Sequence, residues 1–204
     1  VSDPDVARRD VRLCIVGDSY VTGYGDPKAL GWVGRVVART PQDDLDLTVH
    51  QLGVRGDSTA GVLERWRAET GRRWFDGADN RLVIAVGAND IGQGISLART
   101  RLNLANVVDE AAADGLQPFV VGPAPWLDPA DNERLRAVVD AERDVCERRG
   151  VPFVDCFTPL LSHEQWFADL GAGDGMHPGQ AGYGLLAWLV LHCGWPQWLG
   201  LDPR

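Results

Sequence analysis

The sequence predicts an α/β fold, a parallel sheet with helices over both faces. Three observations predict it. Five short apolar runs rich in β-branched residues recur at 11–17, 46–53, 82–87, 118–122 and 151–155, each bounded by Gly, Pro or Asp. Between them, longer segments carry apolar residues at threes and fours, the helical period. The runs are nearly continuous rather than alternating, as strands buried on both faces require. A chain of 204 residues, 45% hydrophobic and 24% charged, can bury a core for one such domain, read over 1–204. No internal repeat, linker or low-complexity stretch divides it.

Taken in order, the first run leads into Gly17-Asp18-Ser19, and a stripe of Trp32, Val33, Val36 and Val37 follows. The second ends in Gly53-Val54-Arg55-Gly56-Asp57, ahead of Val62, Leu63 and Trp66. After the third come Gly87-Ala88-Asn89-Asp90 and then a helix marked by Leu97, Leu104, Val107, Val108 and Ala111, with Gly115 placed to end it. The fourth opens into a proline-rich loop, 123–131, whose Asp128 or Asp131 suits an N-cap. The helix beyond it carries Leu135, Val138, Val139, Val145 and Cys146 and stops at Gly150. The fifth run precedes a long loop region that contains Asp174-Gly175-Met176-His177-Pro178, and Leu185, Leu186, Leu189 and Val190 close the series. The arginine-rich stretch 65–73 reads as a solvated helix end.

Composition narrows the partners. With 20 basic and 29 acidic residues the net charge is −9, which repels phosphate backbones and anionic lipid. Nucleic acid and stable membrane association are therefore not expected, and no apolar run is long enough to span a bilayer. Residues 1–10 lack the apolar segment of a secretory signal, so a cytoplasmic protein is expected, with secretion open if a leader has been removed. The four cysteines, at 14, 146, 156 and 193, have neither metal-knuckle nor redox spacing and read as free, mostly buried thiols.

In a parallel sheet the functional loops follow the strand C-termini. Here those loops hold a serine, a histidine, aspartates, glycine amides and an asparagine amide, which together suit acyl transfer. A hydroxyl is a weak nucleophile and needs a base; the base needs an acid to fix its tautomer; the developing oxyanion needs donors. Asp174 and His177, three residues apart, can set the carboxylate against the imidazole and turn the other ring nitrogen to a serine. From the residues alone the choices stay open. Gly-Asp-Ser occurs twice, at 17–19 and 56–58, each time after a strand-like run. His163 competes with His177, and Asp169 and Asp155 with Asp174. Ser19 could serve as a helix cap, Asn89 as a turn former and Gly56 as a source of positive φ. Asp18 and Asp90 read as structural.

The blocks GDS at 17–19, a glycine at 56, GxND at 87–90 and DxxHP at 174–178, in that order, resemble the SGNH/GDSL hydrolase superfamily over nearly the whole chain. The resemblance implies a flavodoxin-like, three-layer α/β/α fold with five parallel strands. It implies Ser19 as nucleophile, His177 as general base and Asp174 as its orienting acid. The oxyanion donors it implies are the Ser19 and Gly56 amides and the Asn89 side chain. It further implies carboxylic-ester or thioester hydrolysis of a small-molecule substrate, short acyl esters or acetylated sugars first, with no metal and no organic cofactor. An acyltransferase or lysophospholipase with the same triad, or a non-catalytic binding module of the same fold, are the other readings. Tyr20 stands where leucine is common in the family and is expected to line the pocket. Trp126 and Trp166-Phe167 are expected to line it as well. The signatures of α/β-hydrolases, dinucleotide folds, Walker loops and zinc proteases are absent from the sequence.

Overall fold

A computed structural model of the protein describes residues 8–201. Residues 1–7, most of the segment read for a leader, lie outside the described residues. Five strands, β1 (Arg9–Gly17), β2 (Leu45–Gly53), β3 (Asp79–Ala85), β4 (Gln117–Val121) and β5 (Phe153–Val154), form one sheet in the order β2-β1-β3-β4-β5. Every pairing is parallel. The helices are α1 (Ser19–Thr22), α2 (Gly31–Val37), α3 (Thr59–Thr70), α4 (Leu97–Ala113), α5 (Pro129–Arg149), α6 (Phe157–Leu160), α7 (Glu164–Gly171), α8 (Gln180–His192) and α9 (Trp195–Trp198). This is the flavodoxin-like three-layer arrangement the sequence predicts.

Strand alternation sorts the core into two faces. Val11, Leu13 and Ile15 of β1 point to a layer with Trp32, Val33, Val36, Tyr183 and Leu186 from α2 and α8. Cys14 and Val16 point the other way, to Val62, Trp66, Leu104, Val107 and Val145 from α3, α4 and α5. A third cluster packs Ala88, Trp126, Leu135 and Val138 beneath the loops at one end of the sheet. Cys14, Cys146 and Cys156 are buried and Cys193 is exposed, all as free thiols. Among the described residues no helix is long and apolar enough to cross a membrane.

Two strand boundaries differ from the apolar runs. β3 begins at Asp79, because parallel pairing with Val11 to Leu13 carries the polar residues Asp79, Asn80 and Arg81 into the ladder. β5 shrinks to two paired residues at the sheet edge, where Pro152 has no N–H to give.

The strand order places the site. The chain leaves β1 for β2 on one side and then crosses to β3 on the other, so the loops after β1 and β3 diverge and leave a crevice at their C-terminal ends. The β1 end opens into that crevice because Gly17 lies hard against β3; a Cβ there would come 1.9 Å from the Ala85 carbonyl oxygen.

Candidate active site

Three loops and one helix end build the site. After β1, Asp18 N-caps α1 by accepting a hydrogen bond from the Tyr20 amide at 2.9 Å. Ser19 is thereby the first residue inside the helix, and its hydroxyl is not used as a cap. Between α7 and α8, the 174–178 loop folds back on itself: Asp174 Oδ1 accepts from the amides of Met176 at 3.0 Å and His177 at 2.8 Å. That turn aims the ring. His177 Nδ1 lies 2.7 Å from Asp174 Oδ2, and Nε2 lies 2.8 Å from Ser19 Oγ. An imidazole held this way can take the hydroxyl proton on one nitrogen while the carboxylate fixes the tautomer on the other.

Burial alone would raise the Asp174 carboxyl. Its bonds to the His177 ring and to the two amides outweigh that and hold it down at about 2. Asp18 shows the reverse: burial, with the charges of Asp57 and Asp90, outweighs the Tyr20 amide bond and lifts it to about 7. Behind it, Glu142 of α5 is fully buried with no hydrogen-bond partner for either oxygen among the described residues, and burial pushes its carboxyl well up.

Opposite the imidazole, the loops after β2 and β3 interlock. Gly56 adopts φ +78°, a conformation glycine favours. Asn89 Nδ2 donates to the Asp57 carbonyl at 2.9 Å and to Asp18 Oδ2 at 3.3 Å, and Gln93 Nε2 donates to the Gly56 carbonyl at 2.7 Å. Among the described residues, neither the Ser19 nor the Gly56 amide N–H has an acceptor. Both line, with Asn89 and His177, an open cleft of about 400 Å³.

Ser19, Asp174, His177, Gly56 and Asn89, which the family resemblance implies, therefore meet at one place. Tyr20 and Trp126 line the same cleft. Trp166 does not. It is fully buried on the α2–α8 side, and its indole N–H donates to the Pro125 carbonyl at 3.0 Å, so its role is in packing. The competing residues are also accounted for. His163 sits at the N-terminus of α7, Asp169 Oδ2 accepts from the Gly182 amide, and Asp155 accepts from Phe157 and Thr158. Asp90 binds the Thr59 amide and the hydroxyls of Thr59 and Thr100, a structural role. Among the described residues no cluster of three His, Cys, Asp or Glu side chains is placed to hold a metal ion.

The GDSL-like lipase/acylhydrolase family matches residues 15–185. The chain belongs to this family. It is 30% identical over 110 residues to esterase TesA of Pseudomonas aeruginosa, covering 54% of this chain and 53% of that one. The chain thus spans about half the length of that relative. Among solved structures, it is similar to a lipolytic G-D-S-L family protein of Veillonella parvula, with TM-score 0.74, 22% identity and coverage of 89% of this chain and 96% of that one. It is also similar to Axe2, an acetylxylan esterase of Geobacillus stearothermophilus, with TM-score 0.75, 19% identity and coverage of 98% and 99%. At these identities the two structures speak for the fold.

Several groups at the site escaped sequence reasoning. Tyr24 packs its ring edge-on to His177 at 4.7 Å, and Arg55 lies over Tyr24 at 3.5 Å. The Tyr183 hydroxyl donates to the Tyr24 carbonyl, and Tyr20 donates to the Met176 carbonyl. All three tyrosines of the chain thus surround the imidazole loop, a concentration that only the fold reveals. Arg65, read as part of a solvated helix end, is largely buried instead. It pairs with Asp57 at 2.7 Å and donates to the carbonyls of Gly17 and Leu52, tying the ends of β1 and β2 together.

Proposed function

We propose that the chain is a serine hydrolase of carboxylic esters, with Ser19 as nucleophile, His177 as general base and Asp174 as the acid that orients it. The observation that carries this reading is the continuous relay Asp174–His177–Ser19, with contacts of 2.7 and 2.8 Å, beside unpaired amide donors. Ser19 Oγ attacks the ester carbonyl carbon as its proton passes to His177 Nε2. The carbonyl π electrons move to oxygen, where the Ser19 and Gly56 amides and Asn89 Nδ2 stabilise the charge. Asn89 would supply the N–H that now meets Asp18 at 3.3 Å, the longer and weaker of its two bonds. Collapse expels the alkoxide, which takes the proton from His177. Water then enters as the second nucleophile, deprotonated by the same ring, and releases the acid and free Ser19.

The substrate this reading assigns is a small ester with a short acyl group, acetylated sugars included. A recess of about 30 Å³ adjoins the cleft, sharing Asp18, Tyr20 and Ala88 with it. That is room for roughly two or three water-sized groups, since a water needs ~10–15 Å³ on the same measure. The esterase name of TesA and the acetylxylan activity named for Axe2 agree with ester cleavage. Protonating the imidazole removes the base, so turnover falls on the acid side. Asp174, held at about 2, stays ionised there and is not the group that is lost.

Nitrophenyl acetate, butyrate and octanoate, with acetylated xylose and acetyl-CoA alongside, test the reading in the wild type and Ser19→Ala. Hydrolysis that declines with acyl length and vanishes in Ser19→Ala is the expected result. Absent hydrolysis, or undiminished turnover in the variant, contradicts it.

A further inference from the structure

The cleft carries one exposed full charge that the triad and oxyanion donors leave unused. Arg55 lines the cleft together with Ser19 and His177, and its guanidinium lies 3.5 Å from the centre of the Tyr24 ring. Tyr24 in turn packs edge-on against His177, with ring centres 4.7 Å apart, so the cation stands one aromatic ring away from the base. Arg55 has no carboxylate within ion-pair distance among the described residues. The neighbouring carboxylates are already engaged: Asp57 with Arg65, Asp174 with His177, and Asp18, buried, with the Tyr20 amide. A guanidinium that stacks through its face keeps its N–H fork in the plane, free to meet an oxyanion. On a chain of charge −9, which repels anions at a distance, this is a local exception.

We propose that Arg55 is a specificity determinant that selects esters carrying a carboxylate on the alcohol or the acyl part, close to the scissile bond. This rests on the ester-hydrolase reading above and narrows its substrate class. A single guanidinium against an overall negative field suits a singly charged carboxylate better than a dianionic phosphate, because the second charge gains no partner and meets the same repulsion. The Tyr24 ring fixes the cation's position. Its backbone is itself fixed by the Tyr183 hydroxyl, which donates to the Tyr24 carbonyl at 2.7 Å.

Matched pairs of esters test it, with hydrolysis followed by liquid chromatography. On the alcohol side, 4-acetoxybenzoate is compared with neutral 4-acetoxybenzamide; on the acyl side, methyl hydrogen succinate with methyl succinamate. The readout is the ratio of kcat/KM for the charged over the neutral member, in wild type, Arg55→Gln and Arg55→Lys. In at least one pair the wild-type ratio is expected to fall about fivefold in Arg55→Gln, the upper end of what an exposed charge pair supplies. Arg55→Lys should retain part of the ratio, and added salt should reduce it in the wild type. A ratio that Arg55→Gln leaves unchanged in both pairs overturns the proposal. Parallel losses on charged and neutral esters overturn it too, and assign Arg55 to holding Tyr24 against the imidazole. If the wild type cleaves neither member of either pair, and also none of the nitrophenyl esters, the ester reading itself fails and takes this inference with it. Cleavage of the neutral members without a charge effect sinks this inference alone.

Discussion

Gly17-Asp18-Ser19 and Gly56-Asp57-Ser58 are the same tripeptide at the ends of adjacent strands, and the fold gives them opposite jobs. At the first, the helix begins one residue earlier relative to the triplet: Asp18 is the N-cap, and Ser19 stands inside α1 with its hydroxyl free to meet His177. At the second, Ser58 is the N-cap, its Oγ accepting from the Gly61 amide at 3.5 Å, while Asp57 pairs with Arg65. The glycines differ as well. Gly17 is pressed against β3, whereas Gly56 turns the chain at positive φ with open space around it. Helix register thus decides which side chain is consumed in local hydrogen bonding and which is left for chemistry. Asn89 joins the two copies, donating to Asp18 of one and to the Asp57 carbonyl of the other.

The largest effect should separate the two serines. Ser19→Ala is expected to abolish ester turnover, and Ser58→Ala to leave a working site; the reverse outcome would exchange the roles of the triplets. Next comes the residue that bridges them. Asn89→Ala should lower kcat by ~10²–10³-fold, the usual cost of one oxyanion donor, and a loss below about threefold would remove it from that role.

The two aspartates differ in their surroundings: Asp57 pairs with Arg65, whereas Asp18 is buried with no basic partner among the described residues. Asp18 keeps its proton up to about 7 in the folded chain against 3.8 when free. Between those values the folded state binds more protons than the unfolded one, so this group's contribution to stability declines as pH rises from about 4 to about 7. Asp18→Asn removes that slope. Unfolding free energies from urea titrations across this range should therefore shift in favour of the variant by up to a few kcal/mol at the upper end. Curves that run parallel would show that Asp18 is ionised in the fold throughout. The smallest effect is the cap itself: Ser58→Ala should cost about 1 kcal/mol, read as a Tm lower by roughly 2–4 °C.

Much of this was legible in the sequence, for physical reasons that also mark where it stopped. Continuous apolar runs gave away β1 and β4, since a strand covered on both faces has no polar side to show, whereas β2, at the sheet edge, alternates its apolar residues with Asp46, Thr48 and His50. The start of β3 was hidden because Asp79-Asn80-Arg81 enter the ladder through backbone pairing, which leaves no hydrophobic trace. The residues of the proposed triad could be named because each follows a strand or precedes a helix at a recognisable block. Choosing between the two triplets needed the family resemblance, since the helix register that separates them is invisible in three identical letters. Trp166 was misplaced on proximity in sequence alone; its spacing to Leu170, both buried on one side of α7, was the signal that it faces inward. Arg65 was misread because a run of charges looks solvated, although a long side chain can reach back to carbonyls at two strand ends. Arg55 and Tyr24 lie in loops with no periodic pattern, and only folding stacks one on the other.

Of the two serines in the identical tripeptides, only Ser19 is expected to be activated. A fluorophosphonate reacts covalently with an activated serine hydroxyl, so the direct measurement is to label the protein, digest it and locate the adduct by mass spectrometry. A single adduct on Ser19, lost in His177→Ala, is the expected result. An adduct on Ser58, or none on a folded protein, would contradict it.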